Sequence, residues 1–293
     1  MTVDVLLPHY GDLALVQEAI ASVMAQTDPD WRLVIANDDL GNEAAKEWFE
    51  SLDDPRIEYH LNEENLGVNG NFRKVLSLAT NPLCQIMGSD DVMQPTYVEW
   101  LVAAADSHPD VDVFQPGVLT IDENGVPSDG LVEKVKRHYA PDTDTPVVLA
   151  AEDFAVSVLK GDWLYFPSIG WRTETIKRVG FREGVEIAED LALLVEIAAE
   201  GGALYFDPRL QFLYRRHSAS ASSKNTINGA RFDEERELFD EFARQMKAKG
   251  WDRAARAASI HFSSRGHAAT AIPKAIATRN WDGLKALLRH VAR

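Results

Sequence analysis

The sequence predicts an α/β protein: a doubly wound, mainly parallel sheet followed by a C-terminal helical extension. Two patterns carry that expectation. Short apolar runs alternate with amphipathic helical segments from Val3 to Ala105, and the pattern after Asn228 is helical to the end. At 293 residues the chain suits one large domain or two, with ample material for a core.

Val3–Leu7 is an apolar run of buried-strand type, ended by Pro8. Asp12 is placed to cap a helix whose apolar face is Leu13, Val16, Ile20 and Val23. Trp31–Ala36 reads as a second strand, trailed by Asn37-Asp38-Asp39. A helix over Ala44–Leu52 leads to a third strand at Ile57–Leu61. Asn65–Gly70 reads as a Gly/Asn loop before a helix over Phe72–Ala79. Leu83–Met87 is a fourth strand, stopped by Gly88-Ser89-Asp90-Asp91, and Pro95 suits the first turn of a helix running to Ala105. Asp122–Thr145 is rich in Gly, Pro and Asp and reads as an insertion or long loop. Ala151–Leu159 and Thr173–Val179 read as helices on either side of Phe166–Gly170. Glu189–Ala199 is a helix opening with two acids, and Ala203–Phe206 and Leu210–Tyr214 read as strands.

Thirty Lys and Arg face 46 Asp and Glu, a formal charge of −16, which excludes the basic footprint of a nonspecific nucleic-acid binder. The charge is segregated: residues 244–293 carry +9 and the remainder −25, which suggests a boundary near Arg244. A single cysteine, Cys84, excludes an internal disulfide framework and a Cys-rich zinc site. No basic leader is present, and no apolar run approaches the roughly 18 residues of a membrane span, so the expectation is a cytoplasmic protein.

In doubly wound sheets, ligands bind beyond the carboxyl ends of the strands. Asn37–Asp39 and Asp90–Asp91 both follow predicted strands there, and like charges on one rim destabilise unless a cation joins them. The ordered pieces Pro8-His9-Tyr10, Asn37-Asp38-Asp39, Asn65-Leu66-Gly67 with Asn71, Ser89-Asp90-Asp91, Pro167-Ser168-Ile169-Gly170, Glu189-Asp190 and Tyr214-Arg215-Arg216-His217 together resemble a family 2 glycosyltransferase of the GT-A type. The resemblance runs from Val3 to Ser222. It implies a GT-A, Rossmann-like catalytic domain over residues 1–222 and a basic helical extension over 223–293.

What the resemblance implies is an inverting transfer of sugar from a nucleotide-diphospho-sugar donor to the hydroxyl of a glycan or lipid-linked acceptor. The departing diphosphate gathers negative charge, and Mn²⁺ or Mg²⁺ with oxygen ligands stabilises it. Asp91 is the implied metal carboxylate, His217 a further metal ligand, and Asp90 lies near the ribose or sugar. The bland readings are a helix cap ahead of Pro95 for the acid pair and a solvated loop residue for His217. Pro8 and Tyr10 would cup the base, Asp38 would accept a base N–H, Asn71 would hold the nucleotide-sugar, and Arg215 or its neighbour Arg216 would neutralise phosphate. Asp38 serves an Asx turn equally well. Gly170 would let bare backbone approach donor or acceptor. Asp190 is the implied general base and Glu189 its positioning neighbour, against the alternative that both acids only favour the helix dipole. Two positions depart from the family pattern: Gly88 replaces the first acid of Asp-x-Asp-Asp, and Gly11 replaces an Asn.

In the extension, Trp281, Leu284, Leu287, Leu288 and Val291 form an apolar stripe beside Lys285, Arg289 and Arg293. The stripe either packs on the catalytic domain or a second subunit, or meets an anionic membrane as a peripheral contact at its inner face. A catalytically degenerate sugar-nucleotide-binding protein is the rival reading. A dinucleotide oxidoreductase is disfavoured, because Pro8-His9-Tyr10-Gly11 stands where a G-x-G-x-x-G would begin.

Overall fold

The computed structural model describes residues 1–216 and 230–292. Among these, nine strands form one sheet: β1 (Val3–His9), β2 (Trp31–Asn37), β3 (Ile57–Leu61), β4 (Leu83–Ile86), β5 (Val92–Met93), β6 (Val113–Ile121), β7 (Val147–Ala150), β8 (Gly170–Arg172) and β9 (Ala203–Arg215). Their order is β3-β2-β1-β4-β8-β6-β9-β5, with β7 also paired to β9. β1 lies parallel to both β2 and β4, β2 parallel to β3, and β6 parallel to β9. β8 is antiparallel to β4 and β6 and joins the two parallel halves.

Helices cover both faces, which is why the central strands read as continuous apolar runs. In β1, Val3, Val5 and Leu7 enter one core, with α1 (Leu13–Met24), α2 (Glu43–Glu50) and α4 (Tyr97–Ser107). Leu6 points into the other, with α3 (Gly67–Ser77), α6 (Ala151–Lys160), α7 (Thr173–Val179) and α8 (Glu189–Ala199). β2 alternates the same way, Leu33 and Ile35 against Val34 and Ala36.

The extension is α9 (Ala230–Ala248), α10 (Asp252–Ile260), α11 (Phe262–Ala277) and α12 (Trp281–Val291). Leu238, Phe239, Phe242 and Met246 of α9, with Ala254 and Ala258 of α10, sit in the same hydrophobic cluster as α6 and α8. The change of charge at Arg244 therefore falls inside α9 rather than at a boundary. The expected division between 222 and 223 lies outside the described residues. In α12, Leu284, Leu287 and Val291 pack against Ala268 and Ala275 of α11, leaving Trp281 and Leu288 exposed. No described helix is long and apolar enough to cross a membrane.

Several elements differ from the sequence expectation, each for a tertiary reason. α3 starts at Gly67 rather than Phe72, because the Asp38 carboxylate, just past the end of β2, accepts hydrogen bonds from the Leu66 and Gly67 amides. The expected loop over 122–145 contains α5 (Leu131–Tyr139). The two expected strands at 203–214 are one, β9, which keeps pairing with β6 across a bulge at Pro116/Gly117.

Candidate active site

The carboxyl ends of β1, β2, β4 and β9 meet on one rim of the sheet, the place where ligands bind in such folds. β4 ends at Ile86, and the chain turns at once through Gly88-Ser89-Asp90-Asp91. Asp91 is buried. Its Oδ1 accepts the Arg215 amide at 2.8 Å, and its Oδ2 is buried with no hydrogen-bond partner. Burial, and then the neighbouring Asp90 charge, push its carboxyl well above the usual carboxylate range. A buried carboxylate oxygen without a donor is expensive in a protein interior and is the natural ligand of a cation. Among the described residues no cluster of three or more His, Cys, Asp or Glu side chains forms a ready-made metal cage. The donor set accordingly fits a hard divalent cation whose shell is completed by diphosphate and water.

Gly88 has a geometric reason. A Cβ there would overlap Asp91 Oδ2 and lie 3.0 Å from Asp90 Oδ1. The position of the family's first acid is thus filled by the two acids that follow it. Gly11, at the other departure, has φ +120°, a conformation that favours glycine over the Asn of the family pattern.

Arg215 does not present its guanidinium to a phosphate. It is buried, with Nε donating to the Asp90 carbonyl at 2.7 Å, Nη2 to Glu18 Oε2 at 2.6 Å and Nη1 to the Asp122 carbonyl at 3.3 Å. Its geometry makes it the scaffold of the Asp90-Asp91 turn, tying β9, α1 and that turn together. Arg216 bonds Glu133 of α5 at 2.8 Å. The Tyr214 ring lies 5.2 Å from that of Tyr165. Burial, and the charges of Asp91, Asp90 and Asp190, raise the Tyr214 hydroxyl pKa. All three acids are thus felt electrostatically at Tyr214.

Asp190 and Glu189 open α8, as expected. Asp190 is half-buried and its Oδ1 accepts the Leu191 amide at 2.8 Å. Glu189 is buried. Its Oε1 accepts Arg73 Nη2 at 2.5 Å, while Oε2 is buried without a partner. Burial pushes the Glu189 carboxyl up to about 7 against the pull of Arg73, with Glu186, Asp190 and Glu234 adding to the rise. Such a displaced pKa beside a second acid is the pattern of a functional carboxylate pair.

Pro8 is half-buried at the end of β1, and Tyr10 beyond it is 67% exposed, free to present a ring face to a ligand. His9 between them is buried with both ring nitrogens unpartnered, and burial lowers its pKa to about 4. Three expected ligand contacts are committed to the fold instead. Asp38 is 2% exposed and its oxygens accept from Asn62 Nδ2 and the Leu66 and Gly67 amides, so it caps α3. Asn71 is buried, donating to the Ala36 carbonyl at 2.9 Å and accepting from Asn62 at 3.0 Å. Gly170 is not in a donor loop. It lies in β8 between Gln85 and Phe114, where an added Cβ would overlap Leu101 Cδ1 and come within 2.8 Å of Cδ2. Gly170→Ala is expected to destabilise by about 1–3 kcal/mol through this overpacking, read by urea unfolding. His217 lies outside the described residues.

Arg73, Glu18 and Glu234 were not anticipated from the sequence. Each acts on the rim from a distant element, and an isolated Arg or Glu on a helix carries no local signal of that.

The chain matches the crystal structure of S. aureus TarS 1–349 in complex with UDP-GlcNAc at a TM-score of 0.69 and 15% identity, covering 99% of this chain and 82% of that one. The fold is the GT-A fold, with C-terminal helices. Residues 4–148 match the model of Glycosyl transferase family 2. That segment, just under half of the chain, is of glycosyl transferase family 2. It is 31% identical over 111 residues to the uncharacterized glycosyltransferase MJ1057 of Methanocaldococcus jannaschii, across 37% of this chain and 38% of that protein. It is also 24% identical over 237 residues to the uncharacterized protein y4gI of Sinorhizobium fredii, across 76% of this chain. The matched stretch spans only 23% of y4gI, so the chain covers about a quarter to two fifths of these relatives.

Proposed function

We propose that the protein is an inverting, metal-dependent glycosyltransferase that moves a sugar from a nucleotide-diphospho-sugar to the hydroxyl of a glycan or lipid-linked acceptor. The observation that carries this reading is the buried Asp91 carboxylate, unpartnered at Oδ2 at the carboxyl rim of the sheet beside Asp90. Asp91, with Asp90 beside it, would hold Mn²⁺ or Mg²⁺, whose chemistry here is to neutralise charge on the leaving diphosphate. His217 remains the proposed further ligand.

Asp190 takes the proton from the acceptor hydroxyl as that oxygen bonds to the anomeric carbon. The bond from that carbon to the diphosphate oxygen breaks, and displacement from the opposite face inverts the centre. Glu189, held by Arg73, would position the neighbouring Asp190. Arg215 fixes the turn that carries Asp90 and Asp91. Tyr10 stacks on the base beside Pro8. The rival reading, a degenerate binding protein, drew on Gly88 and Gly11. Both glycines have a steric or conformational reason to be there, which weakens the case for decay. In this reading the enzyme works in the cytoplasm, and a membrane contact would involve the exposed Trp281 and Leu288.

The test is a thermal-shift panel of UDP, GDP, dTDP and CDP, each with and without Mn²⁺. UDP is the first candidate because TarS was crystallised with UDP-GlcNAc. One nucleotide at about 100 times its Kd should stabilise by roughly 2.7 kcal/mol, and only with metal. If all four fail with Mn²⁺ present, the reading is wrong.

A further inference from the structure

The turn that delivers Glu189 and Asp190 is built by the C-terminal extension. Ala188 is the N-cap of α8 and supplies no side-chain cap, so the amides leading into the helix need acceptors from elsewhere. They find them in one side chain of α9. Glu234 Oε1 accepts the Ile187 amide at 2.8 Å and the Ala188 amide at 2.9 Å, and Oε2 accepts the Glu186 amide at 2.9 Å. A carboxylate at this helix start also meets the positive end of the helix dipole.

The same turn is gripped from the opposite side by α3. Asn69 Nδ2 donates to the Glu186 carbonyl at 3.0 Å, and Arg73 reaches both the Arg182 carbonyl at 3.2 Å and Glu189. Arg182, at the start of the turn, forms a two-oxygen pair with Glu241 of α9 at 2.8 Å. α3 lies inside the stretch matched by the family model; α9 lies outside it.

We propose that Glu234 is a positioning residue for the transfer reaction, and that α9 is thereby a working part of the active site rather than an appendage. This rests on the transferase reading above. Three charge-assisted bonds to consecutive amides fix the direction in which α8 begins. An error of an ångström in that direction would carry Asp190 out of reach of the acceptor hydroxyl. Loss of the clamp should therefore lower turnover without weakening donor binding, because Tyr10 and Asp91 belong to other elements. Glu234 also contributes negative charge at Glu189, so its removal should lower the Glu189 pKa.

The experiment compares the full-length wild type with Glu234→Gln and Glu234→Ala. Arg253→Gln is the control: it breaks other contacts that dock the extension, the pairs with Glu152 and Asp153, away from the turn. Hydrogen exchange of the segment 183–191, the Mn²⁺-dependent thermal shift with UDP, and steady-state turnover of UDP-GlcNAc across pH are read for each. In both Glu234 variants exchange should quicken at 186–188 and kcat should fall about ten-fold or more, with donor KM within about two-fold. The acidic limb of kcat should move to lower pH in Glu234→Gln. Arg253→Gln should lose some stability and keep kcat. Unchanged exchange, unchanged kcat, or an equal loss in Arg253→Gln would overturn the proposal. Failure of the transferase reading looks different: the wild type itself would bind no nucleotide and turn none over.

Discussion

Asp91→Asn is expected to yield a chain that is more stable and inactive at once. The wild-type carboxylate keeps one good bond, from the Arg215 amide, and holds its other oxygen buried without a donor next to Asp90. Asparagine keeps the Oδ1 acceptor and offers an N–H₂ toward the Asp90 carboxylate. Removing the desolvated charge should stabilise by about 1–2 kcal/mol, a rise of a few degrees in Tm. The sign follows from linkage. A carboxyl whose folded pKa is raised supports the fold fully below its ordinary pKa and loses that support as pH rises through the folded pKa. The advantage of Asp91→Asn over wild type should thus grow from acid toward neutral pH. The same variant should lose the Mn²⁺-dependent nucleotide shift and transfer activity by roughly 10²–10³-fold. A variant that is less stable at pH 7, or that keeps the metal-dependent shift, would contradict the assignment. Stability given up at a site in this way is common where function needs an unmet charge.

Asp190→Asn should cost turnover on the order of 10²–10⁴-fold and leave the nucleotide shift intact, since a missing base affects proton transfer and not donor binding. Glu189 adds a pH signature. With its carboxyl pushed up to about 7, it takes up a proton as pH falls through neutrality, and the charge that holds Arg73 beside Asp190 disappears. Wild-type kcat should then fall below about pH 7, well above where an ordinary glutamate would act. Glu189→Gln should be slower at pH 8 and show no limb near 7. If its profile keeps that limb, some other group titrates there. By the same linkage, Glu189 supports the fold below its ordinary pKa and costs stability above about 7, so Glu189→Gln should be the more stable protein at pH 8.

Much of this was legible in the sequence. The apolar runs at Val3–Leu7, Trp31–Ala36 and Leu83–Met87 are strands, and the acid pairs 90–91 and 189–190 stand at a strand end and a helix start. Local pattern suffices there because a strand buried on both faces must be apolar throughout. β8 escaped notice: three residues long, it has no periodicity to read, and its glycine is dictated by Leu101 of α4. Arg215 looked like a phosphate ligand because a cation next to an acid motif carries no mark of which way it points. Burial among Glu18, Asp90 and Asp122 decides it. The apolar stripe of α12 likewise shows an amphipathic helix but not its partner, which for Leu284, Leu287 and Val291 is α11.

Sequence alone determined the α/β class, the parallel core strands, the family resemblance, and the residues that carry carboxylates to the rim. Those depend on side-chain period and local backbone preference, which neighbours along the chain specify. Tertiary structure alone decided which polar groups are satisfied and which are left in need. It gives Asp38 and Asn71 to the frame, leaves Asp91 Oδ2 and Glu189 Oε2 without donors, and sets Glu234 under a helix 46 to 48 residues earlier in the chain. That outcome turns on burial and on pairs distant in sequence, and the free energy of a charged group depends on both.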